Sequence, residues 1–258
     1  MRIMLTNDDG YRASGINILY QLLAKAGHDV VIVAPELNSS GASHSIAVYS
    51  PISITEVEKN IYYVSSTPAD SVRLGLHVAY GDQENYPDLV LSGVNLGENI
   101  SEDVLYSGTV GAAREAALQG IPAIAFSTFG PTYEHMNDAA RLAVDLVQKL
   151  DENQHLLEKP FLWNVNIPNQ KYEEILGFEV TELGNRLKHQ PLERQVTSRG
   201  QVIYWQGKSG AINMKDSLGT DTLVSLKNNV ASITPLKIFP TDYNQMPIIS
   251  ELTMKVKQ

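Results

Sequence analysis

The stretch Arg2-Ile3-Met4-Leu5-Thr6-Asn7-Asp8-Asp9-Gly10 opens the chain with a short apolar segment that runs directly into two adjacent acidic residues. Two carboxylates about 4 Å apart repel each other by about 1 kcal/mol in water and by about 4 kcal/mol at an effective dielectric constant of about 20. A fold that holds both at the end of a buried strand therefore does so most readily with a cation between them. Gly10 supplies backbone freedom for the turn, and open α/β sheets place their ligands at such strand ends.

Apolar strands alternate with amphipathic helices along the first half of the chain, which is typical of a parallel sheet covered on both faces. We expect strands at Ile3–Thr6, Asp29–Ala34, Asp88–Leu91 and Ala123–Phe126, and a β excursion at Ile46–Thr55 and Ile61–Ser65. We expect helices at Ile16–Ala26, Thr67–Tyr80, Thr109–Gln119 and Tyr133–Leu150. Gly27 stands where a glycine ends a helix, and Thr67 with Asp70 predicts a capping box. This pattern places the core in about residues 1–130.

The pattern changes after about residue 170. Strands are expected at Glu179–Leu183, Gln201–Gly207 and Val230–Pro235, with a polar connection at Arg186–Arg199 and a short helix at Thr220–Asn228. Few core positions are evident, so this half is interpreted as a β-rich arm and not as an independent domain. The expected fold is α/β and Rossmann-like, with a mostly parallel sheet and helices on both faces. We expect a single domain over residues 1–258, with its core in 1–170 and an arm that serves oligomerisation in 171–258.

Composition narrows the class of protein. The 258 residues are 43% hydrophobic and 19% charged, as in globular proteins, and the formal net charge of −9 argues against a nucleic-acid polymer or an anionic membrane as the main partner. The absence of cysteine excludes disulfides, thiolate metal sites and a cysteine nucleophile. No apolar run of 18 or more residues and no signal-peptide pattern is present, so the cytosol is the expected compartment.

Each polar segment has a plain structural interpretation beside the functional one. One aspartate of the first pair is a possible helix cap or turn residue. The hydroxyl-rich segment 35–45 is either a solvent loop or a source of one neutral oxygen ligand for Mg²⁺, and its His44 is either an acid or phosphate contact or simply a polar loop residue. In the glycine-rich turn after Leu91, Asn95 and Asn99 either close the turn or offer a carbonyl oxygen to a hard cation.

A second kind of site is expected at the start of a later helix. Ser107 is a natural cap for the helix that follows it, and the small residues after it leave backbone N–H groups open. The helix dipole favours an anion at this position. The chain therefore offers a cation site and an anion site at one edge of the predicted sheet.

Taken together, these segments resemble the SurE (stationary-phase survival) family of metal-dependent nucleotidases over nearly the whole chain. The resemblance is carried by short motifs throughout the sequence: Thr6-Asn7-Asp8-Asp9-Gly10-Tyr11, Val33-Ala34-Pro35, Ser40-Gly41-Ala42-Ser43, Ser66-Thr67-Pro68-Ala69-Asp70, Ser92-Gly93-Val94-Asn95, Asp103-Val104-Leu105-Tyr106-Ser107-Gly108-Thr109-Val110, Asn164-Val165-Asn166-Ile167-Pro168, Gly219-Thr220-Asp221 and Ser232-Ile233-Thr234-Pro235.

The resemblance implies a phosphomonoesterase that acts on nucleoside 5′-monophosphates, and it leaves open whether 3′-monophosphates and short polyphosphate are also hydrolysed. It implies one divalent ion, Mg²⁺ or Mn²⁺, in each subunit. The implied metal ligands are Asp8, Asp9, Ser40 and Asn95, with Asp8 and Asp9 as the catalytic pair. The implied phosphate contacts are Ser107, Gly108 and Thr109, with Asn99 grouped beside them. Family members are cytoplasmic homodimers or homotetramers that exchange C-terminal arms.

The mechanism expected from these parts is attack on phosphorus by metal-activated water, without a phosphoenzyme. The start of the helix at Ser107 would stabilise charge on the phosphate oxygens. The chain departs from the family at 36–41, where two arginines of the usual Asp-Arg-Asn-Arg-Ser-Gly are missing, and at Ser14, where proline is usual. The first departure also leaves a choice between Ser39 and Ser40, and alignment on Gly41 favours Ser40.

Two other classes share parts of this pattern. A haloacid-dehalogenase-type phosphatase needs a second aspartate two positions after the first, but Gly10 follows Asp8 and Tyr11 follows Asp9 at that spacing. A non-enzymatic phosphorylation switch of the receiver type needs a phosphoacceptor aspartate at the end of a third strand, where this chain has Ser92. Both remain as weaker alternatives.

Overall fold

The computed structural model describes residues 1–129, 132, 134–188, 191–207 and 209–253. Its strands are β1 (Arg2–Thr6), β2 (Asp29–Pro35), β3 (Ile54–Glu58), β4 (Ile61–Val64), β5 (Leu89–Leu96), β6 (Ala123–Thr128), β7 (Leu162–Ile167), β8 (Phe178–Val180), β9 (Glu193–Val196), β10 (Val202–Trp205) and β11 (Ala231–Pro235). Its α-helices are α1 (Ser14–Lys25), α2 (Pro68–Gly75), α3 (Asp103–Tyr106), α4 (Gly108–Leu118), α5 (Met136–Glu152), α6 (Asp221–Ser225) and α7 (Met246–Thr253). The expected α/β class is confirmed.

Nine of these strands form one mostly parallel sheet in the order β3-β4-β2-β1-β5-β6-β7-β11-β8. After β1 the chain adds β2 on one side, and β5 later pairs with β1 on the other side. The crevice between the carboxyl ends of β1 and β5 is therefore a topological switch point, where open α/β sheets bind their ligands. Asp8 and Asp9 follow β1 directly, and Asn95 lies near the end of β5.

The two faces of the sheet bury separate hydrophobic clusters. On one face, α1 and α5 pack on side chains such as Leu5, Leu91 and Phe126, all of which are fully buried. On the other face, α2 and α4 pack on residues such as Met4 and Val90. The near-continuous apolar strands are what a sheet covered on both sides requires.

Helix ends largely follow the local sequence signals. Gly27 directly follows Ala26, the C-cap residue of α1, and has φ of +91°, as expected for a helix-ending glycine. Thr67 caps α2, since its Oγ1 accepts a hydrogen bond from the Asp70 backbone N–H at 3.2 Å. The expected capping box is only half formed, because the Asp70 carboxylate accepts from the Ser66 and Thr67 hydroxyls and from the Ala47 N–H. A π-helical turn at Leu76–Tyr80 then completes the segment that was expected to be one helix.

Several expected boundaries were wrong. The β excursion begins at Ile54 and not at Ile46, and β5 continues as an irregular strand through the segment that was expected to be a glycine-rich turn, with a register shift between Ser92 and Asn95. The expected polar connection contains β9, which pairs with β10 in a hairpin. The helix start expected at Tyr133 lies outside the described residues, and the described helix begins at Met136.

The hydrophobic core extends past residue 130, where the strand pattern placed its end: it includes β7, which lies within the expected core range 1–170, and β11, which lies beyond it. Strand β7 pairs with β6 in parallel, and its Val165 and Ile167 are fully buried in the same cluster as Leu5. Strand β11 pairs with β7 in antiparallel orientation and adds buried Ala231. The C-terminal half therefore contributes two strands, β11 and β8, to the main sheet. Within the described part of the chain, the helices are all too short or too polar to cross a bilayer.

Candidate active site

The turn after β1 is closed by the side chain of Asn7. Its Oδ1 accepts a hydrogen bond from the Gly10 N–H at 3.1 Å, and its Nδ2 donates to the Gly10 carbonyl at 3.0 Å. Gly10 has φ of +100°, which a residue with a Cβ rarely adopts. The turn is fixed to β2 through the Tyr11 N–H, which donates to the Pro35 carbonyl at 2.9 Å. Asp8 and Asp9 are therefore presented on a rigid loop.

Asp8 is held against the start of α4. Its side chain is almost fully buried, with 4% exposure, and its Oδ1 accepts a hydrogen bond from the Thr109 hydroxyl at 2.5 Å. Burial raises the pKa of Asp8, while the Thr109 hydroxyl and the backbone N–H groups of Thr109 and Gly108 oppose that rise. A Cβ at residue 108 would lie 2.7 Å from the Asp8 Cβ, so only glycine permits this close approach.

Asp9 lies beside Asp8 and is half-buried. Burial, and then the charge of Asp8, raise the pKa of Asp9 to about 6. Its Oδ1 accepts a hydrogen bond of 3.4 Å from the Asn38 Nδ2, and the Asn38 Oδ1 accepts from the Ser40 N–H at 2.9 Å. Asn38 thus links the acidic pair to the loop that carries Ser40. Among the described residues that shift the pKa of Asp8 or of Asp9, none is a positively charged side chain.

A cavity of about 410 Å³ opens at this edge of the sheet. It brings together five residues that the sequence analysis named as candidate site residues: Asp8, Ser40, Asn95, Asn99 and Ser107. Asp9 flanks this group and is linked to it through Asn38. Ser40 lines this cavity, whereas Ser39 lines a neighbouring one of about 370 Å³. The structure therefore places Ser40 on the side of Asp8 and Asn95.

The donor set fits a hard divalent ion. The Asn95 Nδ2 donates to the Gly97 carbonyl at 2.8 Å, which fixes the amide and leaves its Oδ1 available as a ligand. Two carboxylates with raised pKa values and two neutral oxygens, completed by water, match the ligands that Mg²⁺ and Mn²⁺ accept. Among the described residues, no three acidic, histidine or cysteine side chains are placed to hold one metal ion together, so an ion here depends on the neutral ligands.

The start of α4 forms the other wall of the cavity. Ser107 caps the helix, since its Oγ accepts from the Val110 N–H at 3.1 Å. Thr109 is fully buried and does not line the cavity, and both its hydroxyl and its backbone N–H are directed at Asp8. The Asn99 Nδ2 donates to the Ser127 Oγ at 2.8 Å. The backbone carbonyl of Asn99 accepts from the side-chain amides of Asn164 and Asn166. The roles of Ser107, Gly108, Thr109 and Asn99 toward phosphate stay predictions.

Three charged residues that line the cavity were not named as site residues from the sequence: Glu98, Asp103 and Arg186. Arg186 comes from the C-terminal half and donates to the Asp103 carboxylate at 2.7 and 3.1 Å. Burial raises the pKa of Asp103, although the Arg186 guanidinium opposes the rise. His44 points elsewhere, because its Nε2 pairs with Glu115 at 2.8 Å. No local pattern in the sequence signals that residue 186 returns to the edge formed by residues 8 and 95.

Comparison with known proteins is consistent with this geometry. The family model described as Survival protein SurE matches residues 3–190. The chain is 44% identical over 246 residues to a protein named 5′-nucleotidase SurE from Nitrosomonas eutropha, and 42% identical over 245 residues to one of the same name from Methylobacillus flagellatus; each alignment covers 95% of this chain and 96% of the relative. The crystal structure of the SurE protein from Aquifex aeolicus aligns with a TM-score of 0.83 and 39% identity, covering 98% of this chain and 99% of that one.

The close approach of α4 to Asp8 predicts the effect of Gly108→Ala. The new methyl group would meet the Asp8 Cβ at 2.7 Å and its Oδ2 at 2.9 Å, so helix and carboxylate must separate. We expect the free energy of unfolding to fall by about 1–3 kcal/mol and Mn²⁺ affinity to fall with it, measured by urea denaturation and calorimetry. Gly219→Ala is the control, since no described atom lies within 4 Å of its Cβ position. Equal stability of G108A and G219A would contradict the close contact.

The raised pKa of Asp9 predicts a pH-dependent cost in the metal-free protein. Since the folded-state pKa of about 6 exceeds the ordinary value of 3.8, the ionised carboxylate destabilises the fold, and the loss develops as pH rises from about 4 to about 6. In EDTA at pH 7, Asp9→Asn should therefore be more stable than wild type by about 1 kcal/mol, after allowance for solvent at this half-buried group.

Thermal unfolding of wild type and D9N in EDTA between pH 4 and pH 8 measures this difference. The exposed residue Asp82 precedes β5 at the far end of that strand and supplies the control D82N. The stability advantage of D9N should grow between about pH 4 and pH 6 and stay constant above. An advantage that is absent, or that does not change with pH, would show that Asp9 has an ordinary pKa.

Proposed function

Because the chain belongs to the SurE family, we propose that it is a divalent-metal-dependent 5′-nucleotidase that hydrolyses nucleoside 5′-monophosphates to nucleoside and phosphate. One observation carries the proposal: the cavity at the switch point combines the buried Asp8 carboxylate, the oxygens of Ser40 and Asn95, and the start of helix α4. These are a candidate cation site and a candidate anion site within one cavity. Hydrolysis of a phosphate monoester requires both.

The residues of this chain have separate parts in the proposed reaction. Asp8, Asp9, Ser40 and Asn95 would hold one Mg²⁺ or Mn²⁺ ion. When bound, that ion would polarise the phosphate and lower the pKa of a coordinated water. Thr109 keeps Asp8 oriented through a hydrogen bond, and Ser107 fixes the first turn of α4, so that its backbone dipole favours the charge on the phosphate oxygens.

The expected absence of a phosphoenzyme separates this proposal from the phosphatase and receiver alternatives. Gly10 and Tyr11 stand where an aspartate partner for a nucleophile would be needed, and Ser92 stands at the position of a receiver's phosphoacceptor. Acetyl phosphate labelled with ³²P should therefore leave no stable label on the protein. Covalent label recovered on Asp8 or Asp9 would favour an aspartyl nucleophile.

Oligomerisation and location complete the proposal. Helix α7 exposes four apolar side chains, at Met246, Ile248, Ile249 and Leu252. An exposed cluster of this kind on a terminal helix supports a homodimer or homotetramer in which another copy covers it. The cytosolic location stays a prediction, and so does activity on 3′-monophosphates and short polyphosphate.

The direct test is release of phosphate from nucleoside 5′-monophosphates, 3′-monophosphates and tripolyphosphate, with Mn²⁺ or with EDTA. Wild type should hydrolyse the 5′-monophosphates only with metal. Asp9→Asn should reduce kcat/KM by at least about 100-fold, since it removes a charged ligand, while D82N should match wild type. Full activity in EDTA, or in D9N, would reject the metal-dependent mechanism.

A further inference from the structure

Three of the four charged residues that line the cavity in the described part of the chain are acidic. Asp8, Glu98 and Asp103 face it, and Arg186 is the one cationic side chain among the described lining residues. A divalent ion would offset Asp8 and Asp9, but a nucleotide phosphate brings up to two further negative charges. Glu98 and Asp103 would repel it unless a cation lies beside them. The loop 36–41, where this family commonly has arginines, supplies none here.

Arg186 has the geometry of an oriented anion-binding group. Its side chain is 9% exposed, its Nε and one terminal nitrogen both donate to Asp103 Oδ2, and its other terminal nitrogen donates to the Gly210 carbonyl at 3.1 Å. Guanidinium has five N–H groups, so two remain without a hydrogen-bond acceptor among the described residues. Glu98 forms an ion pair with the same terminal nitrogen at 3.8 Å, which is beyond hydrogen-bond distance. An arginine that Asp103 orients and that keeps two N–H groups outside these hydrogen bonds is suited to a phosphate oxygen.

The buried carboxylate of Asp221 supports this arrangement. Asp221 is fully buried, and its Oδ1 accepts from the Gly184 N–H at 2.8 Å while its Oδ2 accepts from the Ser101 N–H at 3.0 Å. Gly184 precedes Arg186 by two residues, and Ser101 precedes Asp103 by two residues. Asp221 therefore fastens together the two backbone segments that carry the ion pair. This explains mechanically why the C-terminal half and the segment after β5 meet at the cavity.

We propose that Arg186 binds the phosphate group of the substrate, that Asp103 orients its guanidinium, and that Asp221 is a positioning residue that holds both segments in register. This inference rests on the proposed function for the identity of the substrate. It assigns a substrate contact to the C-terminal half of the chain, and it supplies a cation at a cavity whose other charged lining residues, among those described, are acidic. Asp103 and Asp221 act through Arg186 and do not touch the substrate.

The test compares wild type with Arg186→Gln, Arg186→Lys, Asp103→Asn and Arg199→Gln, all loaded with Mn²⁺. Arg199 is an exposed arginine at the turn of the β9-β10 hairpin and serves as the matched control. Calorimetry measures the binding of inorganic phosphate. Steady-state kinetics with a nucleoside 5′-monophosphate give KM and kcat, and thermal unfolding shows whether each variant is folded. R186Q should weaken phosphate binding and raise KM by about 10- to 100-fold, because a charge-assisted pair is lost. R199Q should match wild type.

The conservative variants separate binding from folding. R186K keeps the positive charge but loses the planar guanidinium with its several N–H donors. It should therefore bind phosphate more weakly than wild type by about 3- to 10-fold. D103N keeps the shape of the carboxylate and removes one repelling charge, but it also loses the charged acceptor of two guanidinium hydrogen bonds. We expect the loss of orientation to dominate, so that phosphate binding weakens. Folded R186Q, R186K or D103N with the phosphate affinity of wild type would overturn the proposal and leave Arg186 as a structural link only. If R186Q does not fold, R186K and D103N decide.

Asp221 is tested by a double-mutant cycle. D221N should weaken phosphate binding and raise KM in the wild-type background. In the R186Q background it should not weaken phosphate binding any further, because its effect passes through Arg186. Equal effects in both backgrounds would contradict a positioning role. Phosphate binding is read without turnover. Failure of wild type to hydrolyse nucleotides would therefore count against the proposed function alone, whereas unchanged phosphate affinity in the variants would count against Arg186.

Discussion

The hydrogen bond between Asp8 and Thr109 is the contact on which the site depends. It joins the end of the central strand β1 to the first turn of α4, residues that are 101 positions apart in the chain. The carboxylate is buried, so its charge would be costly without the hydroxyl and the backbone N–H groups that face it. This one contact holds a negative charge at the switch point and, at the same time, fixes the helix start beside it.

The same contact creates an electrostatic demand. The N–H groups of α4 compensate part of the charge of Asp8, but Asp9 lies beside it with a pKa that burial and Asp8 both raise. The fold therefore keeps two carboxylates in a position that is unfavourable in the absence of a cation. Such stored repulsion is typical of sites where binding of an ion supplies the compensation. The two carboxylates of the proposed metal site therefore lower the stability of the metal-free protein.

Much of this arrangement could be predicted from the sequence because it depends on short-range patterns. The apolar run before Asp8, the capping residues Thr67 and Ser107, and the alternation of strands and helices are local signals, and they located β1, α2 and α4. The irregular path of β5 around Gly93 could not be foreseen, because it depends on packing against β6 and α1. Strand β7 was also missed, since its alternating asparagines lack the continuous apolar pattern of a buried strand.

The contribution of the C-terminal half was invisible to local patterns for a physical reason. Arg186 lies at the cavity beside Asp103, and Asp221 hydrogen-bonds both of the backbone segments that carry this pair. No propensity or spacing encodes such long-range contacts. The acidic pair, in contrast, carries its chemistry in two adjacent residues.

The most direct measurement of the central claim is a crystal structure of the protein soaked in Mn²⁺, with anomalous diffraction data. We expect one anomalous peak in contact with oxygens of Asp8, Asp9, Ser40 and Asn95. Carboxylates that point apart, with no peak bridging them to Ser40 and Asn95, would contradict a shared metal site.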